Sequence, residues 1–432
     1  MAAEWPILSL REAGVSLIDC DHKTPPPADT GYPYIAIPQV KHGRLDLTDV
    51  RLISREYFIE WTRKAKPEVH DVILSRRCNP GETAFVPPEL ECALGQNLVL
   101  LRANGSKVNP EFLRWLVRGP EWWEQIGKFI NVGAVFDSLR CADIPNFELA
   151  IPTLSEQRAI ANILGSLDDK VELNRKMNQT LEAMARAIFK SWFADFDPVR
   201  AKAAGRDPGL PHDLAALFPD SFEESELGEI PKGWEVKTVA DLAELNSWTL
   251  NKSDVLERIE YIEISEVSNG NIGTIQVFQR GEEPSRARRR LRHGDTALST
   301  VRPDRGSYFF CLQPAPCLIA STGFAVFTPT KAPWSLIHAA LTQSDLFEQL
   351  GHLADGGAYP AIRPEVIGKW QLPWPNNTDI AAAFHRICGP LYERAEQNRR
   401  ESRTLAALRD TLLPKLLSGE IRVKDTLKEA VS

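Results

Sequence analysis

Five arginines, Arg286, Arg288, Arg289, Arg290 and Arg292, crowd into seven consecutive positions, and Arg302 and Arg305 follow soon after with only Asp295 and Asp304 opposing them. Guanidinium groups at that density suit phosphate contacts and bidentate recognition of guanine, each good base contact discriminating by about 1–3 kcal/mol. A solvated charged face is the alternative for the run 286–292. Earlier in the chain Arg76 and Arg77 follow Ser75, with Lys64 and Lys66 upstream. A second kind of candidate is a glycine turn, which occurs twice. One runs Asn131 to Ser138 and includes Gly133; the other runs Asp355 to Arg363 and includes Tyr359. Glycine lets backbone approach a partner closely, although a turn can need it for its φ angle alone. Gly133, Ser138, Tyr359 and Arg363 therefore join the basic residues as candidate DNA contacts. Trp115, Trp122 and Trp123 read as helix core or packing rather than a base-stacking platform.

Other chemistries lack their residues. An amino-methyltransferase needs Asn or Asp before Pro-Pro and an aromatic residue, but the Pro-Pro pairs here follow Thr24 and Val86. There is no GxxxxGK[ST] loop to cradle a nucleotide and no His-rich or Cys-rich metal spacing. Pro303-Asp304 is followed by Arg305 and aromatics, not by a nuclease Glu-x-Lys. The seven cysteines, at 20, 78, 92, 141, 311, 317 and 388, form no CxxC pair and read as reduced and structural. No catalytic residue, metal site or resident cofactor is expected. Lys and Arg total 51 against 58 Asp and Glu, a net charge of −7, so contact with nucleic acid must be local rather than a matter of bulk charge. The first twenty residues include Glu4, Arg11, Glu12 and Asp19 instead of an apolar signal core, and no uncharged run is long enough to span a bilayer. A cytoplasmic protein is expected.

These candidates are positioned by a chain that repeats itself with a period near 224 residues. Tyr34, Ile35, Ile37, Val40 and Gly43 match Tyr261, Ile262, Ile264, Val267 and Gly270 at a shift of 227, and Asp71, Leu74 and Ser75 match Asp295, Leu298 and Ser299 at 224. Glu124 to Gly127 matches Glu348 to Gly351, and Asn174-Arg175 matches Asn398-Arg399, at that same shift. Each repeat opens with short β-rich runs, Tyr34 to Val40, Val72 to Ser75 and Leu98 to Leu101 in the first, Ile259 to Ile264 and Ala325 to Phe327 in the second. Helical stretches follow at Pro110 to Gly127 and Pro333 to Gly351, and a Pro-bounded strand closes each head, Phe147 to Pro152 and Trp370 to Pro375.

A long helix then follows in each half. Ile160, Leu164, Leu167, Val171, Asn174, Asn178, Leu181, Ala185, Ile188 and Trp192 are spaced alternately by four and three, a heptad seam. The second half carries a rougher version, Phe384, Ile387, Leu391, Leu405, Leu408 and Leu412. An ordinary amphipathic helix is the alternative for either seam alone, but two matched seams favour pairing with each other, with Asn174 and Asn398 fixing register. The expected fold is α+β: two α/β heads in tandem repeat, separated by two long helices forming an antiparallel coiled coil with pseudo-twofold symmetry. Its divisions are a head at 1–152, a helix at 153–194, a linker at 195–232 draped over a surface, a head at 233–375, a helix at 376–421 and a tail at 422–432. Such a two-headed reader suits two half-sites at a fixed separation on duplex DNA.

At this point the chain resembles the specificity (S) subunits of Type I restriction-modification systems, over nearly all its length. The resemblance rests on Leu154-Ser155-Glu156-Gln157-Arg158-Ala159-Ile160-Ala161, on Leu173-Asn174-Arg175, and on Ser191-Trp192-Phe193-Ala194-Asp195-Phe196-Asp197-Pro198-Val199-Arg200-Ala201-Lys202. Leu227 to Trp234 is similar to the opening of the family's second target-recognition domain and Leu413 to Ile421 to its closing segment. The second helix departs by beginning Asn377-Thr378-Asp379-Ile380, without the Glu-Gln pair of 156 and 157. The resemblance implies two target-recognition domains, each reading half of a split asymmetric double-stranded DNA target. It also implies long helices that pair and dock two adenine-methylating (M) subunits, two endonuclease (R) subunits completing the assembly, with S-adenosylmethionine, ATP and Mg belonging to those partners. Helix pairing and partner docking then fall to Ile160, Leu164, Leu167, Val171, Asn174, Leu181 and Ile188 on one helix and Leu391, Asn398, Leu405 and Leu412 on the other. From the residues alone, a two-headed coiled-coil adaptor without DNA is the rival reading. A fused methyltransferase would need motifs that are absent.

Overall fold

In the computed structural model, which describes residues 5–41, 43–133, 136–354 and 360–423, the repeat is a repeat of topology. In the first half a four-stranded antiparallel sheet has the order Val15–Asp19, Leu98–Ala103, Val72–Ser75, Thr83–Phe85. In the second half the order is Ala243–Leu245, Phe324–Pro329, Thr296–Ser299, Tyr308–Phe310. Leu74 and Leu298, matched by the repeat, occupy the same central strand. The parallel pairing of Tyr32–Ile35 with Ala93–Leu94 likewise returns as Arg258–Ile262 with Leu318–Ser321. These central strands are buried on both faces, which is why Val72 to Ser75 and Thr296 to Ser299 read as continuous rather than alternating runs.

Two of the expected strands are interrupted. Tyr34 to Val40 divides into a strand ending at Ile35 and a 3-10 turn Ile37–Gln39, where Pro38 removes a ladder donor. Ile259 to Ile264 ends likewise at Ile262, before the turn Ile264–Glu266. Each expected helical stretch is two helices, Pro110–Leu116 and Pro120–Phe129 in one half, Trp334–Leu341 and Ser344–Leu353 in the other. In the first pair Asn109 caps the opening helix, accepting from the backbone N–H groups of Glu111 and Phe112, and the break falls before Pro120.

The first long helix is Leu154–Phe193 and the second Thr378–Leu417. Thr153 and Glu156 close a capping box on the first: the Thr153 N–H donates to the Glu156 carboxylate at 3.2 Å and the Glu156 N–H to the Thr153 hydroxyl at 3.4 Å. Asn377 caps the second through Asp379 N–H at 3.0 Å. Gln157, fully buried, fastens the first helix to its head by donating to the carbonyls of Lys107 and Pro152 and accepting from the Asn109 N–H. Ala381 stands at the matching position of the second helix, so that clasp is made once.

Compact packing divides the chain into two units, one taking the chain up to Val171 and again from Arg403, the other Glu172–Ser402. Both long helices contribute to both units, so this division cuts across the head-and-helix lengths expected along the chain. In the first unit, Ile160 and Leu164 share a core with Leu413, Leu416 and Leu417. In the second, Asn178 meets Ala395 and Phe189 meets Phe384, so the order along the two helices is opposed. The seam of the first helix is as expected, with Ile160, Leu164, Asn174, Asn178, Ala185 and Trp192 buried and Leu167, Val171, Leu181 and Ile188 half-buried. The second seam is in a different register. Ile387 and Leu408 are exposed, Leu391, Leu405 and Leu412 are half-buried, and the buried stripe is Phe384, Cys388, Tyr392, Ala395, Asn398, Leu413 and Leu416.

The stretch 195–232 is not a draped linker. It forms the short helices Asp197–Ala203 and His212–Ala215 and a hairpin, Phe222–Ser225 with Gly228–Pro231, and it buries Phe196, Val199, Phe218 and Ile230 in the core of the second unit.

Candidate nucleic-acid interface

Each head ends its central strand in a serine that caps the turn following it. The Ser75 hydroxyl donates to the Arg77 carbonyl at 3.0 Å, and the Ser299 hydroxyl to the Val301 carbonyl at 2.8 Å. A residue in the left-handed region stands at the same point of both turns, Cys78 at φ 65° and Arg302 at φ 47°. Non-glycine residues hold that conformation only where the surroundings impose it. In the first head the surroundings include Trp122, a buried residue whose indole N–H donates to the Gly81 carbonyl at 3.0 Å.

The two sequence candidates, arginine turn and glycine turn, come together in each head. Leu139 N–H donates to the Arg76 carbonyl at 2.8 Å, and Ile362 N–H to the Thr300 carbonyl at 2.9 Å, acceptors 224 apart and donors 223 apart. Arg77 bridges Ser138, and Val301 bridges Ala361. The loop of the first head is closed by a reciprocal pair between Asn131 and Ser138, at 2.8 and 3.0 Å. Gly133 is needed there for space, since a Cβ would lie 2.3 Å from the Phe136 carbonyl oxygen, and not for a positive φ. Tyr359 lies outside the described residues, as do 134, 135 and 355–358.

The basic candidates separate into two kinds. Arg77, Lys64 and Lys66 are exposed in the first head; Arg286, Arg292, Arg305 and Arg363 are exposed in the second. Lys64 reaches the Cys20 carbonyl at 3.3 Å. Arg76 is mostly occupied by the protein itself: its guanidinium donates to the Leu139 carbonyl and sits 3.4 Å from His22 Nε2. Arg290 is pinned by Asp254 at 2.6 Å and lies 3.7 Å over the Trp248 ring, which Arg292 approaches from 4.9 Å. Arg288 faces the buried Glu283 at 3.9 Å. Arg289 is partly buried on an edge strand bridging Thr249, and burial lowers its pKa. The densest run of charge in the sequence is thus in good part internal architecture. Arg302, whose N–H donates to the Pro360 carbonyl at 2.7 Å, joins turn to loop.

Asp19, Cys20 and His22 come near one another, but the buried Cys20 thiol donates to the carbonyls of Gly95 and Leu98, and burial pushes it up to about 11. Among the described residues no helix is long and apolar enough to cross a membrane. Three side chains that the sequence does not mark as candidate contacts lie at the first head's turn and loop: Val132, Phe136 and Trp123, the first two on the loop and the last beside Gly81, all exposed. Trp123 was grouped with core tryptophans. Of the three, only Trp115 and Trp122 are buried.

The helix pair carries polar groups at its centre. Asn174 donates to Glu401 at 2.8 Å and to Ser402 at 3.3 Å, and Asn398 donates to Asn178 at 2.9 Å. Asn174 and Asn398 are matched by the repeat, as are Asn178 and Ser402, so the contact maps onto itself when the two helices are exchanged. Farther along, in the first unit, the buried carboxylate of Asp168 is shared by Arg44 at 2.9 Å, Arg409 at 2.5 Å and Arg114 at 3.7 Å.

The chain is similar in sequence and in fold to known proteins. The family model of the type I restriction modification DNA specificity domain matches residues 22–183. The specificity subunit of the type I restriction enzyme HindI from Haemophilus influenzae is 27% identical over 415 residues, covering 81% of this chain and 86% of that one. The MjaIX specificity subunit from Methanocaldococcus jannaschii is 26% identical, covering 82% and 78%. The crystal structure of the S subunit from M. genitalium is similar in fold with a TM-score of 0.54 at 17% identity, covering 96% of each chain.

Proposed function

The chain belongs to the DNA specificity subunits of type I restriction-modification systems, and from that premise we propose that each head lays its serine-capped turn and adjoining loop against one half of a split, asymmetric duplex target. The subunit is the non-catalytic, DNA-recognising component; methylation and cleavage are carried by its partners. The observation that carries the reading of the surface is the doubled junction, Leu139 to Arg76 and Ile362 to Thr300, which holds an exposed basic turn and a loop together in both heads. Arg77, Lys64, Lys66, Gly133 and Ser138 serve the first half-site. Arg286, Arg292, Arg302, Arg305, Tyr359 and Arg363 serve the second, with Arg288, Arg289 and Arg290 shaping the surface that presents them. The heads occupy about 1–152 and 233–375. The paired helices, about 153–194 and 376–421, dock two methyltransferase subunits, and two endonuclease subunits complete the assembly in the cytoplasm.

The test is Arg77→Ala and Arg363→Ala, each in the chain assembled with its methyltransferase, titrated against cognate duplex over a range of salt. Each variant is expected to bind more weakly. Where the lost contact is to phosphate, the slope of log K against log salt shrinks by about one. Unchanged affinity and slope for both variants would remove these faces from the DNA.

A further inference from the structure

We infer that Phe136, supported by Val132, is a base-contacting residue of the first head, setting an apolar side chain against an apolar base surface of the half-site that this head reads. The inference rests on the proposed placement of the first head's turn and loop on the duplex. Phe136 is 49% exposed and Val132 84% exposed, on a loop only eight residues long between Asn131 and Ser138. Two large apolar side chains thus stand exposed within five residues of one another beside basic groups, the arrangement of an apolar patch with a polar rim that marks a binding face. Here the mouth of the loop is held, not slack: Asn131 and Ser138 exchange two backbone hydrogen bonds, Leu139 is bonded to Arg76, and Gly133 packs where no side chain would fit. The ring is also oriented, because the Arg77 guanidinium lies 5.6 Å from its centroid. Arg77 and Arg140 are both exposed, while Asp137, the acidic residue of the loop, lies 3.4 Å from the Gly133 backbone nitrogen through a carboxylate oxygen.

An exposed aromatic ring beside the exposed guanidinium of Arg77 matches the duplex in both its components: anionic phosphates outside, apolar base surface within the groove. That apolar surface is either the thymine methyl in the major groove or a base face uncovered at a deformable step. At the shift of 223 that relates Leu139 to Ile362, the residue of the second head matched to Phe136 is Tyr359, which lies outside the described residues.

The experiment uses the full chain assembled with its methyltransferase, carrying Phe136→Ala, Phe136→Ser or Phe136→Leu, beside Arg77→Ala. Adenine methylation is mapped genome-wide, and binding is measured on the wild-type target duplex. Phe136→Ala and Phe136→Ser should weaken binding about tenfold, the size of one good base contact, and relax one or two positions of one half-site while the other keeps its sequence. Phe136→Leu should recover most of the affinity. Uracil placed for thymine at the relaxed position should reproduce the loss in the wild type if the methyl is the surface touched. A rise in 2-aminopurine fluorescence there, lost in Phe136→Ala, identifies an uncovered base face. An unchanged motif and affinity for Phe136→Ala and Phe136→Ser while Arg77→Ala weakens binding would overturn the inference and leave the placement of the face standing. If Arg77→Ala were equally silent, the placement would fail and the inference with it.

Discussion

Replacing Asp168 by alanine should be among the most damaging single changes in the chain outside the sheets. The carboxylate is 3% exposed and touches three guanidinium groups, of which Arg409 is 11% and Arg114 15% exposed. Burial alone would raise the pKa of Asp168, but Arg44 and Arg409 outweigh it and hold the group below the ordinary carboxylate range. Removing the anion leaves buried cations facing one another, a defect of about 3–5 kcal/mol. At roughly 2–4 °C per kcal/mol for a domain of this size, the first unit should melt about 6–20 °C lower. A surface pair of the same unit provides the control: Lys41 and Asp46 are 2.8 Å apart but 55% and 38% exposed, and Lys41→Met should cost under about 1 kcal/mol. The assay is thermal melting with hydrogen exchange, which should show protection falling along 154–171 and 403–417. The lowered pKa fixes the sign of the pH effect. The contribution of Asp168 is fully present above the unfolded value near 4 and is lost as pH falls through the lower folded value. A melting point and exchange pattern for Asp168→Ala no different from those of Lys41→Met would refute the idea that this carboxylate joins the helices to the head.

Other perturbations have equally definite outcomes. Asn398→Ala should cost about 1–3 kcal/mol by leaving the buried Asn178 amide oxygen without its donor, read by chemical denaturation. His338 is buried against Thr296 and burial lowers its pKa to about 3; since the unfolded chain binds the proton near 6.5, the second unit should be fully stable above that pH and lose up to about 1.4 kcal/mol per unit as pH falls toward 3. His338→Phe should flatten that dependence in a melting series. Arg290→Ala should lower melting temperature, because Asp254 and Trp248 lose their partner, whereas Arg77→Ala should leave melting unchanged and weaken DNA binding.

Much of this architecture could be read from the chain because the repeat preserves order even where identity is slight. Ser75 and Ser299 were matched as residues, and they prove to cap matched turns. Asn174 and Asn398 were matched as buried amides, and they make reciprocal contacts. What escaped reading depends on partners remote in sequence. Nothing near Arg290 shows that Trp248 and Asp254 will claim it, so a dense run of arginine looked uniformly available. Beside Asn398, the buried stripe of the second helix uses Cys388, Tyr392 and Ala395 while Ile387 and Leu408 face outward, a pattern that leucine and isoleucine spacing does not reveal. Gly133 was legible as a close approach but not as an approach to the chain's own Phe136 carbonyl. The segment after Phe193 looked like a linker because its Pro, Gly and acidic residues outnumber Phe196, Val199, Phe218 and Ile230, the few that bury it.

If the two heads read separate halves of one target, exchanging one head changes one half alone. Residues 233–375 are replaced by the corresponding head of another family member, the chimera is assembled with the methyltransferase, and methylated adenines are mapped genome-wide. One half of the motif should be new and the other unchanged. A motif that changes in both halves, or in neither while methylation persists, would contradict it.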